Sequence, residues 1–422
     1  MRIFLLVLVL LCWQLQALSQ QQCNSPEYRM ELFKRSPGIN ARVSAIEAFT
    51  KDYLARKNQV SDSLVTDNIP DVITIPVVVH VLYNSSSQNI SDDQVRSQID
   101  VLNKDYRRQN TDTSKTPDIF KPVAADCGFH FVLAVVDPAG NATTGIIHKF
   151  TNVQGFNIDD HIKSSAAGGD DAWDCNTYLN IWVGNMVSGI LGYSSVPGGP
   201  KETDGVVVYY QAFGTSGTAV APFNKGRTTT HEIGHWLNLI HTWGDADCGD
   251  DHVADTPPQR AANRGCPGAI VITCGSGPFG DMFMNYMDFT DDACMNMFTK
   301  GQRERMRALF SPGGVRNPLL SSVAINSIPQ SGPAQSALSP DQGNSVFHIY
   351  PNPSSGIIYV ENSSLSHTIS TVEIFNEMGQ KVMSFRVNPG IQQLNISFLR
   401  SGVYYIKSDD PKNAKTTKLI KM

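Results

Sequence analysis

The sequence predicts two folded parts: an α+β domain, in which a twisted mixed sheet carries a histidine-bearing helix, and a small all-β sandwich after it. Three observations carry this. Residues 73–83 are a dense β-branched run of the kind buried inside a sheet, and four further apolar runs follow before residue 211. Residues 231–241 read His-Glu-Ile-Gly-His-Trp-Leu-Asn-Leu-Ile-His, with charged and aromatic side chains at helical spacing. Beyond residue 342 only short alternating segments remain, separated by turn signals.

The elements follow in order. Arg2, an apolar run over 3–13 and Ala17-Leu18-Ser19 predict a secretory signal peptide, residues 1–19. That run is too short to span a bilayer as a helix, and no other stretch is long enough. Residues 20–70 are polar and locally helical, with apolar positions at helical spacing over Ala45–Leu54. Arg56-Lys57 and a Ser/Asp/Asn-rich stretch close this part, which reads as a pro-segment with a basic cleavage site.

The main domain is expected over 71–312. After the strand at Ile73–Tyr83, Ser91-Asp92-Asp93-Gln94 forms a capping box ahead of Val95, Ile99, Leu102 and Tyr106. Strands are expected at His130–Val136, Tyr178–Val183, Ile190–Ser195 and Gly205–Tyr210, with Leu191–Ser195 as the sheet's edge. Thr299 caps a last helix through Phe310. Residues 313–341, rich in Ser, Pro, Gly, Gln and Asn, read as a linker, and 342–422 as the sandwich. Its strands are expected at Phe347–Tyr350, Ile357–Val360, Thr371–Asn376, Lys381–Phe385, Val403–Lys407 and Thr416–Ile420.

Composition narrows the function. A net charge of −5 without any Lys/Arg stripe argues against nucleic-acid partners. The mature protein is expected to be exported, soluble and monomeric.

His231 and His235 lie one turn apart on one helix face, so both rings reach one metal ion, and Glu232 beside them can polarise a water. If the helix continued, His241 would sit ~15 Å along the axis. The chain must turn near Asn238, and Asn tolerates the positive φ that such a turn needs. Three neutral nitrogens and a water make an open tetrahedral zinc site. With Asn238 in the glycine position, the motif resembles that of the metzincin zinc peptidases. Asn285-Tyr286-Met287-Asp288 resembles their Met-turn, whose methionine, here Met287, lies beneath the ligands.

His241–Asp245, Cys248-Gly249-Asp250-Asp251, Asp255-Thr256-Pro257 and Met284–Asp288 together resemble the pappalysin (cytophagalysin, ulilysin-like) family over residues 75–312. The resemblance implies a metzincin fold and a secreted zinc endopeptidase acting on proteins or peptides. His231, His235 and His241 are then the zinc ligands, and Glu232 is the general base. It also implies the disulfides Cys248–Cys274 and Cys266–Cys294, although four cysteines allow three arrangements. Asp245, Asp247 and Asp250 join Asp251, Asp255 and Thr256 as hard oxygen donors, and the resemblance supports structural calcium among them, chiefly at the last three. Some members carry Tyr where this chain has Phe289, which makes Tyr286 a candidate replacement.

Substrate is expected along the edge strand at Gly192, Tyr193 and Ser194, by strand addition. Asp291 and Asp292 near the S1′ wall would favour a basic P1′ residue. Loss of Cys12 with the signal peptide leaves an odd number of cysteines. Cys127 and Cys175 are candidates for a third bridge, which leaves Cys23. Its thiolate either occupies the zinc's fourth position in the precursor, as a zymogen switch, or is a buried or bridged thiol.

Tyr350-Pro351-Asn352-Pro353, Gly379–Val382, Leu399–Lys407 and the terminal Lys418–Met422 resemble the C-terminal sorting domain of the Bacteroidetes type IX secretion system. That implies the secretion machinery as a partner and a secreted or cell-surface location. Two rival readings are a gluzincin arrangement with Glu304 as third ligand, and a surface adhesin with a vestigial metal site.

Overall fold

Eleven residues from Ile73 to Tyr83 form one strand, and all but Thr74 and Tyr83 are buried. A strand covered on both faces reads as a continuous apolar run, which is why its ends are legible in the sequence. The structure, a computed structural model, describes residues 22–59, 69–325 apart from 188, and 347–421 apart from 351–353, 355–356, 363–369, 388–389 and 409–415. The expected signal peptide and the later part of the linker lie outside the described residues.

The chain divides into two units between residues 330 and 331. The first comprises β1 (Gln22–Cys23), α1 (Ser25–Arg35), α2 (Pro37–Gln59), β2 (Ile73–Tyr83), α3 (Asp92–Tyr106), β3 (Phe129–Leu133) and β4 (Ile146–Phe150). Then come β5 (Leu179–Gly184), β6 (Ile190–Ser194), β7 (Val206–Tyr209), α4 (Arg227–Trp236) and α5 (Lys300–Ala308). The strands lie in the order β1-β6-β7-β5-β2, with β3 along Ile73–Val77 and β4 along Val79–Tyr83. Every pairing is parallel except β6 with β7.

Each face of this sheet has its own core. On one, Ile73, Ile75, Val77, Val79 and Val81 of β2 pack with α3, α4 and α5. On the other, Leu82, Trp182, Ile190, Tyr193 and Val207 meet Tyr28, Leu32 and Ile39 from α1 and α2. The N-terminal segment is therefore folded against the domain that follows it.

Three local expectations change. Ser91 accepts a hydrogen bond from Gln94 N, but the Gln94 side chain turns away to Phe213 O, so the box at α3 is half formed. The reciprocal box is present at Thr299 and Gln302. Arg56 and Lys57 lie in the last turn of α2, paired with Asp52 and Glu304, and so are not an extended cleavage site. The linker does not begin at 313: Leu319 and Ala324 are buried, and Arg316 stacks 3.8 Å from Trp236 and pairs with Asp204.

The second unit holds β8 (Phe347–Tyr350), β9 (Ile357–Asn362), β10 (Ser370–Asn376), β11 (Lys381–Val387), β12 (Gly390–Asn395), β13 (Gly402–Ser408) and β14 (Thr416–Lys421). They form two antiparallel sheets, β11-β10-β13-β14 and β12-β9-β8, around Ile358, Val360, Val372, Ile374, Ile406 and Leu419.

Candidate active site

All ten residues of α4 are buried. Its N-cap is Gly226, which carries no capping side chain; Asp292 supplies the acceptor instead, taking Lys225 N at 2.7 Å and Arg227 N at 3.3 Å. The helix ends at Trp236 because Asn238 adopts φ 72°, while Asn238 N and Leu239 N return to His235 O and Gly234 O. This is a Schellman closure with Asn in place of Gly. It reverses the chain and brings His241 back to the helix.

Three imidazoles meet there. His231 Nδ1 donates to Tyr286 O at 2.6 Å, His235 Nδ1 to Leu239 O at 2.9 Å, and His241 Nδ1 to Asp245. With Nδ1 donating, the neutral form of each ring turns its Nε2 lone pair into the cluster. The His235 Nε2 atom lies 3.1 Å from those of both His231 and His241. Three converging lone pairs repel one another unless a cation sits among them. Burial, and then His241, pull His231 down to about 3 and hold His235 below the usual imidazole range, so both are neutral.

The Cys23 thiol completes the cluster, 3.4 Å from His235 Nε2. Three nitrogens and one sulfur are the donor set of a closed tetrahedral zinc site. Glu304, the rival ligand, is instead paired with Lys57. Met287 lies below, its sulfur so close to Gly234 that an added Cβ would fall 2.4 Å away. Gly192 makes similar room for Glu232.

Glu232 is fully buried. Its Oε2 accepts from Ser25 Oγ at 2.8 Å, while Oε1 has no hydrogen-bond partner. Burial raises the carboxyl to about 8. Around it opens a cleft lined by Leu191, Phe223, Thr228, Thr290 and Asp292. Asp291 is not among the lining residues.

The N-terminal segment fills the edge expected for substrate. β1 runs parallel to β6, with Cys23 opposite Gly192 and Asn24 N donating to Gly192 O at 2.9 Å. Ser194 N donates to Ser25 Oγ, and Arg29 pairs with Asp245 at 3.1 Å.

Other expectations move. The Tyr286 hydroxyl is bound to Arg227 in a buried network with Asp105 and Asp112, so it does not reach the cleft in place of Phe289. Phe289 packs its ring on His241 and Trp243. Asp245 is committed to His241 and Arg29 rather than to the calcium loop. Asp255 receives Thr299 Oγ1 and Gly301 N at the start of α5. Asp251 does converge with Thr256, whose Oγ1 donates to it at 2.7 Å. Disulfides join Cys248 to Cys274 and Cys266 to Cys294. Cys127 and Cys175 are both free and buried, and Cys127 packs in the core beside Tyr106 and Phe129. Sequence reasoning passed over Ser25, and over Asp245 as partner of His241; its position four residues after that histidine was the available signal.

Comparison with known proteins adds to this geometry. A peptidase M43 family model, described as pregnancy-associated plasma protein-A, matches residues 163–311, and a secretion system C-terminal sorting domain model matches 348–422. An extracellular metalloprotease of Trichophyton verrucosum is 31% identical over 269 residues, 61% of this chain and 85% of that protein. Another, from Coccidioides posadasii, is 34% identical over 56% of this chain and 77% of its own length. Among solved structures, a promirolysin mutant of Tannerella forsythia is 44% identical, covering 71% of this chain and 97% of its own, at TM-score 0.64. Mature mirolysin of the same organism, in complex with a cleaved peptide, is 48% identical at TM-score 0.60, covering 62% and 99%.

Proposed function

The chain belongs to the M43 (pappalysin) family of zinc metallopeptidases, and from that premise we propose how this secreted metalloendopeptidase works and how it is held silent. His231, His235 and His241 hold the zinc ion, Glu232 is the general base, and residues 20–70 form a pro-segment whose Cys23 fills the fourth position. The observation that supports this best is the convergence of three Nε2 atoms and one thiol, with every Nδ1 already donated elsewhere.

Zinc bound there supplies Lewis acidity, polarising the scissile carbonyl and acidifying water. The rest falls to the chain's own residues. With β1 gone, the free N–H and C=O groups of β6 at Gly192 and Ser194 align an extended peptide. The freed Glu232 carboxylate takes the proton of the attacking water and returns it to the leaving amine. Asp292 attracts a basic P1′ side chain into the cleft. On this reading Asp292→Asn lowers kcat/KM for peptides with Arg at P1′ by about tenfold or more relative to Leu at P1′, measured on matched peptides. An unchanged ratio would remove Asp292 from the specificity pocket.

Asp251 and Thr256, with Val253 O, form the oxygen cluster we assign to structural calcium. Burial raises the Asp251 carboxyl to about 7, a cost that a bound cation offsets. Adding EGTA should lower Tm by several degrees, and Asp251→Ala should abolish that calcium dependence. Equal melting with and without calcium would count against the site.

The C-terminal unit serves export through type IX machinery. The experiment for the whole reading is to purify the processed form, measure zinc per chain, and map cleaved peptides by mass spectrometry. One zinc and internal cleavages support it; neither would be expected of an adhesin.

A further inference from the structure

A second socket lies beside the edge strand, and in this structure a pro-segment side chain fills it. Successive side chains of a strand point to opposite faces. A Cβ at Gly192 would face Glu232, so Tyr193 turns to the face away from α4. There Tyr193, Trp182 and Lys163 wall a pocket with Asp160 at one side. Lys163 has no exposed side-chain surface; its ammonium pairs with Asp160 Oδ1 at 3.0 Å and donates to Thr203 O at 2.8 Å. It also lies 4.8 Å from the Tyr193 ring centre and 5.5 Å from that of Trp182.

Tyr28 of α1 occupies this socket and is itself fully buried. Its ring centre lies 4.8 Å from that of Tyr193 and 4.9 Å from Lys163 Nζ, and its hydroxyl donates to Asp160 Oδ2 at 2.9 Å. The wall residues all belong to the domain that remains after activation. Only the occupant belongs to the segment that leaves.

We propose that in the mature enzyme this socket is a substrate subsite on the non-primed side, selective for a tyrosine side chain. The inference rests on the reading that residues 20–70 are released. Its side follows from β6: Leu191 lines the Asp292 cleft, whereas Tyr193, on which Tyr28 packs, lies on the other side of Gly192, the residue opposite Cys23. The two pockets flank the Cys23 position, so if one takes the residue after the scissile bond, the other takes a residue before it. A side-chain socket does not depend on chain direction, so the parallel run of β1 does not alter the chemistry recognised. Phenylalanine keeps the cation–π contact and loses the hydrogen bond to Asp160; leucine loses both; a carboxylate meets Asp160 with like charge.

The test uses enzyme processed from the full-length precursor and quenched peptides that share one mapped cleavage site. Tyr, Phe, Leu or Ala is placed in turn at each position before the scissile bond. At one position Tyr should raise kcat/KM about tenfold over Ala, with Phe between, and Lys163→Met should narrow that ratio. In parallel, a peptide of residues 21–35 bearing Cys23→Ala should inhibit in trans, and adding Tyr28→Ala should weaken it about tenfold. An active processed enzyme indifferent to Tyr, Phe and Ala at every position would overturn the proposal, as would equal inhibition by the two peptides. If precursor and processed chain were equally active, the pro-segment reading itself would fall, and the subsite with it.

Discussion

Replacing Glu232 by alanine is expected to lower kcat/KM of the processed enzyme by about 10³-fold or more while leaving its zinc content unchanged. The separation follows from what each side chain does. Glu232 donates nothing to the ring cluster; Oε2 is held by Ser25, and Oε1, against Gly192, has no hydrogen-bond partner. The three imidazoles are oriented by Tyr286 O, Leu239 O and Asp245, none of which the substitution touches. In the precursor, burial under the pro-segment raises this carboxyl, and release of Ser25 and Cys23 exposes it to the cleft as a carboxylate able to take a proton. Steady-state kinetics with metal analysis of the same sample checks this. Substantial residual cleavage would remove Glu232 from the proton-transfer role.

The second large effect concerns latency. Cys23→Ala in the precursor should raise cleavage of a small peptide about a hundredfold over the wild-type precursor before any pro-segment is removed. The thiol is the only pro-segment group among the ring nitrogens in the described cluster. Ser25→Ala should have a smaller effect, because it frees Glu232 while Cys23 stays in place. Other anchors remain in both variants, including Glu47 with Arg305 and Arg29 with Asp245, so α1 and α2 should stay packed while β1, without the thiol, leaves the edge strand. An intact, docked Cys23→Ala precursor as silent as the wild type would contradict the switch.

The sequence was most readable where one local rule decides the outcome. β2 is legible end to end because both of its faces are buried, and α5 because Thr299 and Gln302 close a full capping box. The zinc helix and its reversal at Asn238 follow from spacing and from one residue's tolerance of positive φ. Half-buried or very short pieces gave no such signal. β4 is only half-buried, with His148 and Phe150 exposed, β1 has two residues, and β12 is largely polar. Contacts between distant segments were equally hidden: nothing local pairs Ser25 with Glu232, Tyr28 with Asp160, or the Tyr286 hydroxyl with Arg227. The proposed third bridge failed for the same reason, since a cysteine's partner depends on which core receives it, and Cys127 is packed among aromatic rings.

The most direct test of the account is the ligand shell of zinc before and after processing, read by X-ray absorption. The precursor should show three nitrogens and one sulfur on a single zinc, and the processed enzyme should lose the sulfur and keep the nitrogens. A precursor shell without sulfur, or a sulfur retained after the pro-segment has left, would contradict it.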